Sequence, residues 1–262
     1  MGNINFYGYA AGSNSNVICR DIVQEVNYLK WYLRDCEQKN FADKIRNADL
    51  IFIVADLNNS SEKSNVEQMV NTAEKFGIPT LVYFLFPIKL TSQAGKEGIC
   101  IKQLDLISKA SVLIGFDDSS VDNDINNCSL LFNYYTNKGF NDLSTKLILA
   151  IRGISEPMVR QELVGVDFAD YRLAFENKGL YQTKTFTQEA LLKAKENNEP
   201  WLAASVIIVT IFLKVDGAID VFSKISTTIS NMLEGGELFW LCTAVIDEQI
   251  KDEPMIIITY NQ

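Results

Sequence analysis

Three short apolar runs constrain the fold of this chain more than any other feature. LIFIVADL (50–57), TLVYFLF (80–86) and SVLIGF (111–116) have the length of strands and are apolar except at or near their ends. Strands of this kind are typical of a parallel sheet that is covered by helices on both faces. Between the first two runs, VEQMVNTAEKFG (66–77) has apolar or small residues at helical spacing and a glycine near its end. This alternation predicts an α/β fold with a doubly wound parallel sheet.

The C-terminal part of the chain has a different pattern. Runs rich in β-branched residues predict strands in WLAASVIIVTIFL, FWLCTAVI and PMIIITYN, with an amphipathic helix over 219–233. Another helix is predicted over 143–155, and Pro157 is expected to end or kink it. We therefore expect three parts, which are an N-terminal α/β domain (1–134), a central connecting helix (135–160) and a C-terminal α+β domain with a mixed sheet (161–262).

Composition argues against several classes of function. The 262 residues include no histidine, and the five cysteines are scattered, so no metal site is expected. The net charge is −9 and there is no basic run, which disfavours nucleic acid and anionic membranes as partners. The N-terminus lacks the regions of a signal peptide, and no apolar run is long enough to span a bilayer. We expect a cytoplasmic protein that does not bind membranes directly.

Two acids in LVGVDFADYRLAF (163–175) are the first candidates for a chemical role. Asp167 and Asp170 have a spacing at which two carboxylates can orient a water molecule or bind a cation. The structural alternative is a helix N-terminus, with Asp167 near the N-cap and Asp170 in the first turn. There the two acids would stabilise the helix by roughly 0.5–2 kcal/mol. The sequence leaves both interpretations open.

Two polar loops raise the question of phosphate binding. GYAAGSNSN (8–16) precedes a helix predicted over 17–26, and it either holds a phosphate at the helix N-terminus or is a tight connection. In SSEKS (60–64), Lys63 could neutralise a phosphate. The same segment also fits a solvated cap of a helix that begins near Asn65.

The segment LVGVDFADYRLAF resembles the synergy loop and following helix of the FtsZ/tubulin family, whose loop reads Asn-x-Asp-Phe-Ala-Asp. RGISEPMVRQELVGVDFADYR (152–172) is similar to the family's QGIxELIxxPGLxNxDFADV, and AVIDEQIKDEPMIIITYN (244–261) is similar to its last two strands. NADLIFIVADL and EKFGIPTLVYFLFP resemble the strands that flank its phosphate loop, and GYAAGSNSNV resembles its first glycine loop. The resemblance covers most of the chain.

This resemblance implies an FtsZ/tubulin-like fold and contacts between subunits in a filament. In that family the two acids act on the nucleotide of the neighbouring subunit, so Asp167 and Asp170 become candidate catalytic residues across a subunit interface. The partner would be an FtsZ-type protein or another copy of the chain. The remnants of the two phosphate loops imply a degenerate GTP site, with these candidate residues: Gly8, Gly12, Asn14, Asn58 and Ser60.

The chain departs from the family pattern where nucleotide is bound. The family's phosphate loop, GGGTGTG, is replaced by DLNNSSEKSN (56–65), which has no glycine and places Glu62 beside the phosphates. Ala10 and Ala11 stand at glycine positions of the first loop, and Gly165 replaces the synergy-loop asparagine. These departures predict a pseudo-GTPase without a cofactor that interacts with or modulates filaments in a cytoskeletal or cell-division context. The alternative is a GTP-binding protein that self-assembles and hydrolyses GTP slowly.

Overall fold

The computed structural model describes residues 4–33, 41–56, 59–86, 112–117, 142–160, 162–233, 238–250 and 253–261. These residues form two compact units, each discontinuous along the chain. The first unit contains the described residues up to 117, together with 142–148 and 175–180, and the second contains 149–174 and the described residues from 181 onward. The domain boundaries given above stay predictions.

The first unit is built around a parallel sheet. Its strands are β1 (Phe6–Ala10), β2 (Lys30–Tyr32), β3 (Leu50–Asp56), β4 (Thr80–Phe86) and β5 (Val112–Asp117). They lie in the order β2-β1-β3-β4-β5, with every pair parallel. Its helices are α1 (Ser13–Glu25), α2 (Phe41–Ile45) and α3 (Ser60–Lys75). The prediction of a parallel α/β sheet is confirmed.

Strand β3 shows why the apolar runs identify this sheet. Ile51 and Ile53 pack into a core that includes side chains of α2 and α3. Leu50 and Phe52 alternate with them, so they point to the opposite face, and they are also fully buried. A strand covered on both faces has no position for an exposed polar side chain, and its sequence is therefore continuously apolar.

The second unit contains the mixed sheet that the C-terminal pattern predicts. Its strands are β6 (Glu162–Val164), β7 (Gly179–Phe186), β8 (Val206–Leu213), β9 (Phe239–Ile246) and β10 (Met255–Asn261). They lie in the order β7-β10-β8-β9-β6, and β8 and β9 are parallel while the other pairs are antiparallel. Helices α6 (Gln188–Leu192) and α7 (Ala218–Met232) also belong to this unit, whereas α4 (Asp142–Val159) and α5 (Phe168–Glu176) contain residues of both units.

Helix α4 does not end at Pro157, which was one of the two outcomes predicted for this proline, and the other outcome, a kink, stays a prediction. The helix continues through Pro157 to Val159. A proline lacks the N–H that would donate to the carbonyl of Gly153, which is normally a strong reason to end a helix. Here the hydroxyl of Thr210 on β8 donates to the Gly153 carbonyl at 2.6 Å. A tertiary contact thus replaces the missing hydrogen bond.

Replacing Thr210 by valine is therefore expected to lower the free energy of unfolding by about 1 to 2 kcal/mol, because the buried carbonyl of Gly153 loses its donor. Urea denaturation followed by circular dichroism would measure the loss. In a Pro157→Ala background the residue at 157 regains its N–H, and Thr210→Val should cost much less. The exposed Thr72→Val on α3 is the control. An equal loss of unfolding free energy for Thr210→Val in both backgrounds would show that Thr210 does not replace the N–H missing at Pro157.

The run that begins at Trp201 also differs from its prediction. Pro200–Ala203 forms a 3₁₀ helix, with proline at its first position, and β8 begins only at Val206. The missing N–H of Pro200 suits the first turn of a helix, where that donor has no internal partner. Trp201 is fully buried against Phe186, so its apolar character reflects the core rather than a strand.

Candidate functional site

The connection between β1 and α1 is a short buried turn in the first unit. The Ala11 N–H donates to the carbonyl of Val54 on β3 at 2.9 Å. The Gly12 N–H donates to Oγ of Ser15 at 2.9 Å, and the Ser15 hydroxyl donates to the Gly12 carbonyl at 3.1 Å. Because Ser15 caps this first turn, α1 begins at residue 13, earlier than its predicted start.

Gly8 lies in β1 beside Trp31, its register partner on β2. A Cβ atom placed on Gly8 would lie 2.4 Å from Cε3 and 2.5 Å from Cδ2 of the Trp31 ring. The indole is held in place because its Nε1–H donates to the carbonyl of Val26 at 3.0 Å. The open side of Gly8 is thus filled by an aromatic ring of the same unit.

Gly12 contacts Glu62, which reaches across from the first turn of α3. A Cβ atom on Gly12 would lie 2.5 Å from Cγ and 2.9 Å from Oε1 of Glu62. That same Oε1 accepts the N–H of Ser15 at 3.3 Å. Glu62 is 0% exposed, so the solvated cap predicted for residues 60–64 is wrong at this position.

The start of α3 also differs from its prediction. The helix begins at Ser60 rather than near Asn65, because the side chain of Asn59 accepts two backbone N–H groups of the first turn. Asn65 lies one turn further, and its Nδ2 donates to the carbonyl of Ala11 at 2.8 Å. This hydrogen bond joins α3 to the β1–α1 turn and fixes where Glu62 points.

The residues predicted to bind nucleotide lie in different surroundings. Gly8 and Gly12 contact large side chains of their own unit. Asn14 lies in the first turn of α1, and Ser60 is exposed at the start of α3. Asn58 lies outside the described residues. The structure therefore brings the first turns of α1 and α3 together, as a phosphate site would require, but with Glu62 between them.

GTP is the ligand that the family resemblance implies, and the described residues do not fit its phosphates at this position. A phosphate at the N-terminus of α1 would need the backbone N–H groups of the first turn and the space above Gly12. Glu62 occupies that space and accepts the Ser15 N–H. Its negative charge would also repel a second anion at van der Waals distance.

Cys19 on α1 is affected by the same carboxylate. The thiol is fully buried, and burial raises its pKa well above the ordinary value, with the negative charge of Glu62 raising it further. A thiol in this environment stays protonated at neutral pH and is a poor nucleophile. Cys19 is therefore a core residue and not a candidate for covalent chemistry.

The carboxylates of Asp167 and Asp170 lie together at the N-terminus of α5 in the second unit. The Asp167 N–H donates to Oδ2 of Asp170 at 3.0 Å, and the Ala169 N–H donates to Oδ1 of Asp167 at 3.4 Å. These reciprocal hydrogen bonds resemble a capping box, and the helix dipole favours both charges. The two acids thus form the helix cap that the sequence allows, and their catalytic role stays a prediction.

Helix α5 presents a mixed surface beside these acids. Its inner face is buried through Tyr171, Ala174 and Phe175. Asp167 is exposed and Asp170 is half-buried, and Leu173 is 50% exposed on the outer face of the helix. The cap therefore holds both carboxylates in a defined arrangement at the protein surface, where another molecule can reach them.

Replacing Asp167 by alanine is expected to lower the free energy of unfolding by about 0.5 to 2 kcal/mol, because α5 loses its N-cap acceptor. Asp167→Asn should lower the free energy of unfolding by only a few tenths of a kcal/mol, since an asparagine oxygen caps a helix equally well. Thermal unfolding of both variants would measure the difference. Equal losses would show that the carboxylate charge, rather than the hydrogen bond, carries the stability.

Two further properties bear on function. Among the side chains that the structure describes, no three acids or cysteines stand close enough to hold a metal ion. None of the described helices has the length and apolar character needed to cross a membrane.

The sequence missed Trp31, which shapes this region, and it missed the inward direction of Glu62. Glu62 was identified as a charge beside the phosphate position, but its direction depends on the helix beginning at Ser60. Asn59, a good N-cap residue, was the available signal for that early start. Nothing in the local sequence indicates that the Trp31 ring covers Gly8, because that contact joins two strands.

Comparison with known proteins gives one relative in sequence. No family model matches the chain. The cell division protein FtsZ of Aquifex aeolicus (strain VF5) is 24% identical over 173 residues, which cover 66% of this chain and 42% of that protein. The match therefore spans less than half the length of this curated relative.

The chain is also similar to solved structures over nearly its whole length. An empty FtsZ dimer from M. jannaschii matches with a TM-score of 0.71 and 15% identity, covering 99% of this chain and 88% of that chain. TubZ of Bacillus thuringiensis serovar israelensis, solved as GDP-form protofilaments, matches with a TM-score of 0.63 and 11% identity, covering 98% and 85%. These matches show that the chain has an FtsZ/tubulin-like fold.

Proposed function

We propose that this protein is an FtsZ-like pseudo-GTPase that acts by contacting filament subunits and modulating their assembly in a cytoskeletal or cell-division context. The partner is an FtsZ-type protein or another copy of the chain. Support comes from the relatives, which include a cell division protein, an FtsZ dimer and TubZ protofilaments. The sequence contains no basic run and no apolar run long enough to span a bilayer, and both features fit a protein partner better than nucleic acid or a membrane.

The observation that carries the proposal is the arrangement of Asp167 and Asp170. Hydrogen bonds donated by the backbone N–H groups of Asp167 and Ala169 hold the two carboxylates in one geometry at the surface. Side chains that are already ordered lose little conformational freedom when a partner binds. The acids therefore form a preorganised polar contact, and the neighbouring exposed Leu173 supplies apolar area.

In this proposal the Asp-Phe-Ala-Asp surface docks on the nucleotide-bearing face of an intact subunit. Two carboxylates at that position can accept hydrogen bonds from a water molecule near the partner's nucleotide, which makes a role in its hydrolysis chemically reasonable. The chain itself contributes no nucleotide, because Glu62 fills the phosphate position of α1. A subunit of this kind would end or weaken a filament rather than extend it.

The test is to add the purified protein to a separately prepared FtsZ that assembles with GTP, and to measure filament length and GTP turnover. Native protein should shorten filaments or change turnover in proportion to its amount. The double replacement Asp167→Asn and Asp170→Asn keeps the helix cap but removes both charges, and it should lose most of the effect. The matched control is Asp216→Asn with Asp220→Asn, two exposed acids at the start of α7. No effect of native protein in excess would refute the proposal.

The alternative is a GTP-binding protein that self-assembles and hydrolyses GTP slowly. It is favoured by the likeness to TubZ, whose solved form is a GDP-form protofilament. Two measurements on the native protein separate it from the main proposal. Bound guanine nucleotide after purification, together with sedimentation that depends on protein concentration and GTP, would establish the alternative.

A further inference from the structure

The N-terminus of α1 in the first unit contacts a buried carboxylate that comes from the first turn of α3. Glu62 belongs to the first turn of α3, and its Oε1 accepts the N–H of Ser15 in the first turn of α1. Helix N-termini carry partial positive charge and favour anions. A carboxylate that is 0% exposed is costly unless its surroundings compensate the charge. The position between the two helices is therefore suited to an anion, and Glu62 supplies it.

The same side chain fills the space that a glycine leaves open. Gly12 would place a Cβ atom 2.5 Å from Cγ and 2.9 Å from Cδ of Glu62, a separation at which two carbon atoms overlap. A ligand that approached the N-terminus of α1 over Gly12 would meet the same atoms. The carboxylate and an external anion therefore exclude each other by volume as well as by charge.

The backbone around Glu62 holds this arrangement in place. Asn59 caps α3 directly before it, and Asn65 donates to the carbonyl of Ala11 at 2.8 Å on the other side. The Asn65 hydrogen bond joins α3 to the β1–α1 turn, and the Asn59 cap fixes the first turn of α3 itself. Glu62 thus stays against Ser15 unless α3 itself moves.

We propose that Glu62 is an internal substitute for a phosphate group, and that replacing it by a small neutral residue opens the N-terminus of α1 to phosphate anions. This deepens the proposed function and rests on it in one respect, namely that the native chain binds no GTP. It assigns the loss of the phosphate site to one occupying side chain in addition to the missing glycines. The site would then take the diphosphate part of a nucleotide, for which inorganic pyrophosphate is the simplest probe.

The test is calorimetric titration of pyrophosphate into the native protein and into Glu62→Ser. The serine variant should bind at least about tenfold more tightly than the native chain, a difference that calorimetry resolves. Its unfolding temperature should also rise with pyrophosphate, because a ligand that binds only the folded state stabilises it. Glu62→Gln keeps the volume of the side chain, and it should bind no better than the native protein.

Glu67→Ser, on the same helix, removes an acid from α3 without touching Gly12 and controls for the change in net charge. Equal binding by Glu62→Ser and Glu67→Ser, or by Glu62→Ser and Glu62→Gln, overturns the proposal. If Glu62→Ser is unfolded in phosphate-free buffer, circular dichroism is measured with pyrophosphate and with sodium chloride of equal ionic strength. Recovery of helical signal in pyrophosphate alone supports the proposal, and no recovery overturns it.

These outcomes are distinct from failure of the proposed function. GTP binding by the native protein would refute the pseudo-GTPase, and with it the internal substitute. An unchanged FtsZ filament in the mixing assay would refute the modulating role and leave the binding result of Glu62→Ser unaffected. A folded Glu62→Ser that binds no pyrophosphate would overturn this inference alone.

Discussion

Replacing Arg152 by methionine should lower the free energy of unfolding by about 3 to 5 kcal/mol. Nη2 of Arg152 donates to Oδ2 of Asp247 at 2.6 Å, and its Nε donates to Oε1 of Glu156 at 2.5 Å. All three side chains are at most 5% exposed. The guanidinium also lies over the ring of Phe212, 5.0 Å from its centroid. Without the guanidinium, the carboxylates of Glu156 and Asp247 stay buried and lose their main cationic partner.

Urea denaturation followed by circular dichroism would measure this loss, and tryptophan fluorescence would report on both units, since Trp31 lies in the first and Trp201 and Trp240 lie in the second. The matched control is Arg46→Met, which breaks an ion pair with Asp43 whose side chains are 67% and 76% exposed. Exposed pairs contribute less than about 1 kcal/mol. Similar losses for both variants would contradict the importance of the buried network.

Replacing Gly8 by alanine should lower the free energy of unfolding by about 2 to 3 kcal/mol, near the upper end of typical overpacking costs. The added Cβ would overlap the Trp31 ring at 2.4 Å, and the ring cannot move easily because its Nε1–H bonds the Val26 carbonyl. The cost should nearly vanish in a Trp31→Ala background. A double-mutant cycle therefore assigns the glycine to internal packing.

Gly179→Ala is the control for the general effect of adding a methyl group to a strand glycine. Gly179 lies in β7 with nothing within 4 Å of the added Cβ, and the change should be within about 0.5 kcal/mol. A loss for Gly8→Ala that persists without Trp31 would point to a different reason for the glycine. The backbone conformation of β1 would then be the next property to examine.

The sequence predicted the parts of the fold that local pattern controls. The runs that became β3, β4 and β9 have the predicted bounds or nearly so, since strands buried on one or both faces need apolar residues along their length. The end of α3 was also predictable, because Gly77 adopts a positive φ of 67° that few other residues tolerate. The Asp-Phe-Ala-Asp segment indicated both the family resemblance and a helix cap.

The candidate nucleotide region was predictable only in part. The missing glycines of the second loop and the acidic Glu62 were visible in the chain, and they predicted a degenerate site. The sequence could not show that Glu62 turns inward onto Ser15 or that Trp31 covers Gly8. Each of these contacts joins residues on different elements, whose relative positions follow from how strands and helices pack.

The sequence by itself determined the apolar strands, the family resemblance and the cap formed by Asp167 and Asp170. These depend on neighbours within a few positions, whose spacing is fixed by strand and helix geometry. Tertiary structure alone decided that α4 continues past Pro157 and that Glu62 points at the first turn of α1. In both cases a group distant in sequence satisfies a buried polar atom: Thr210 bonds the Gly153 carbonyl, and Glu62 bonds the Ser15 N–H. Such partners are chosen by packing, and local propensity carries no information about them.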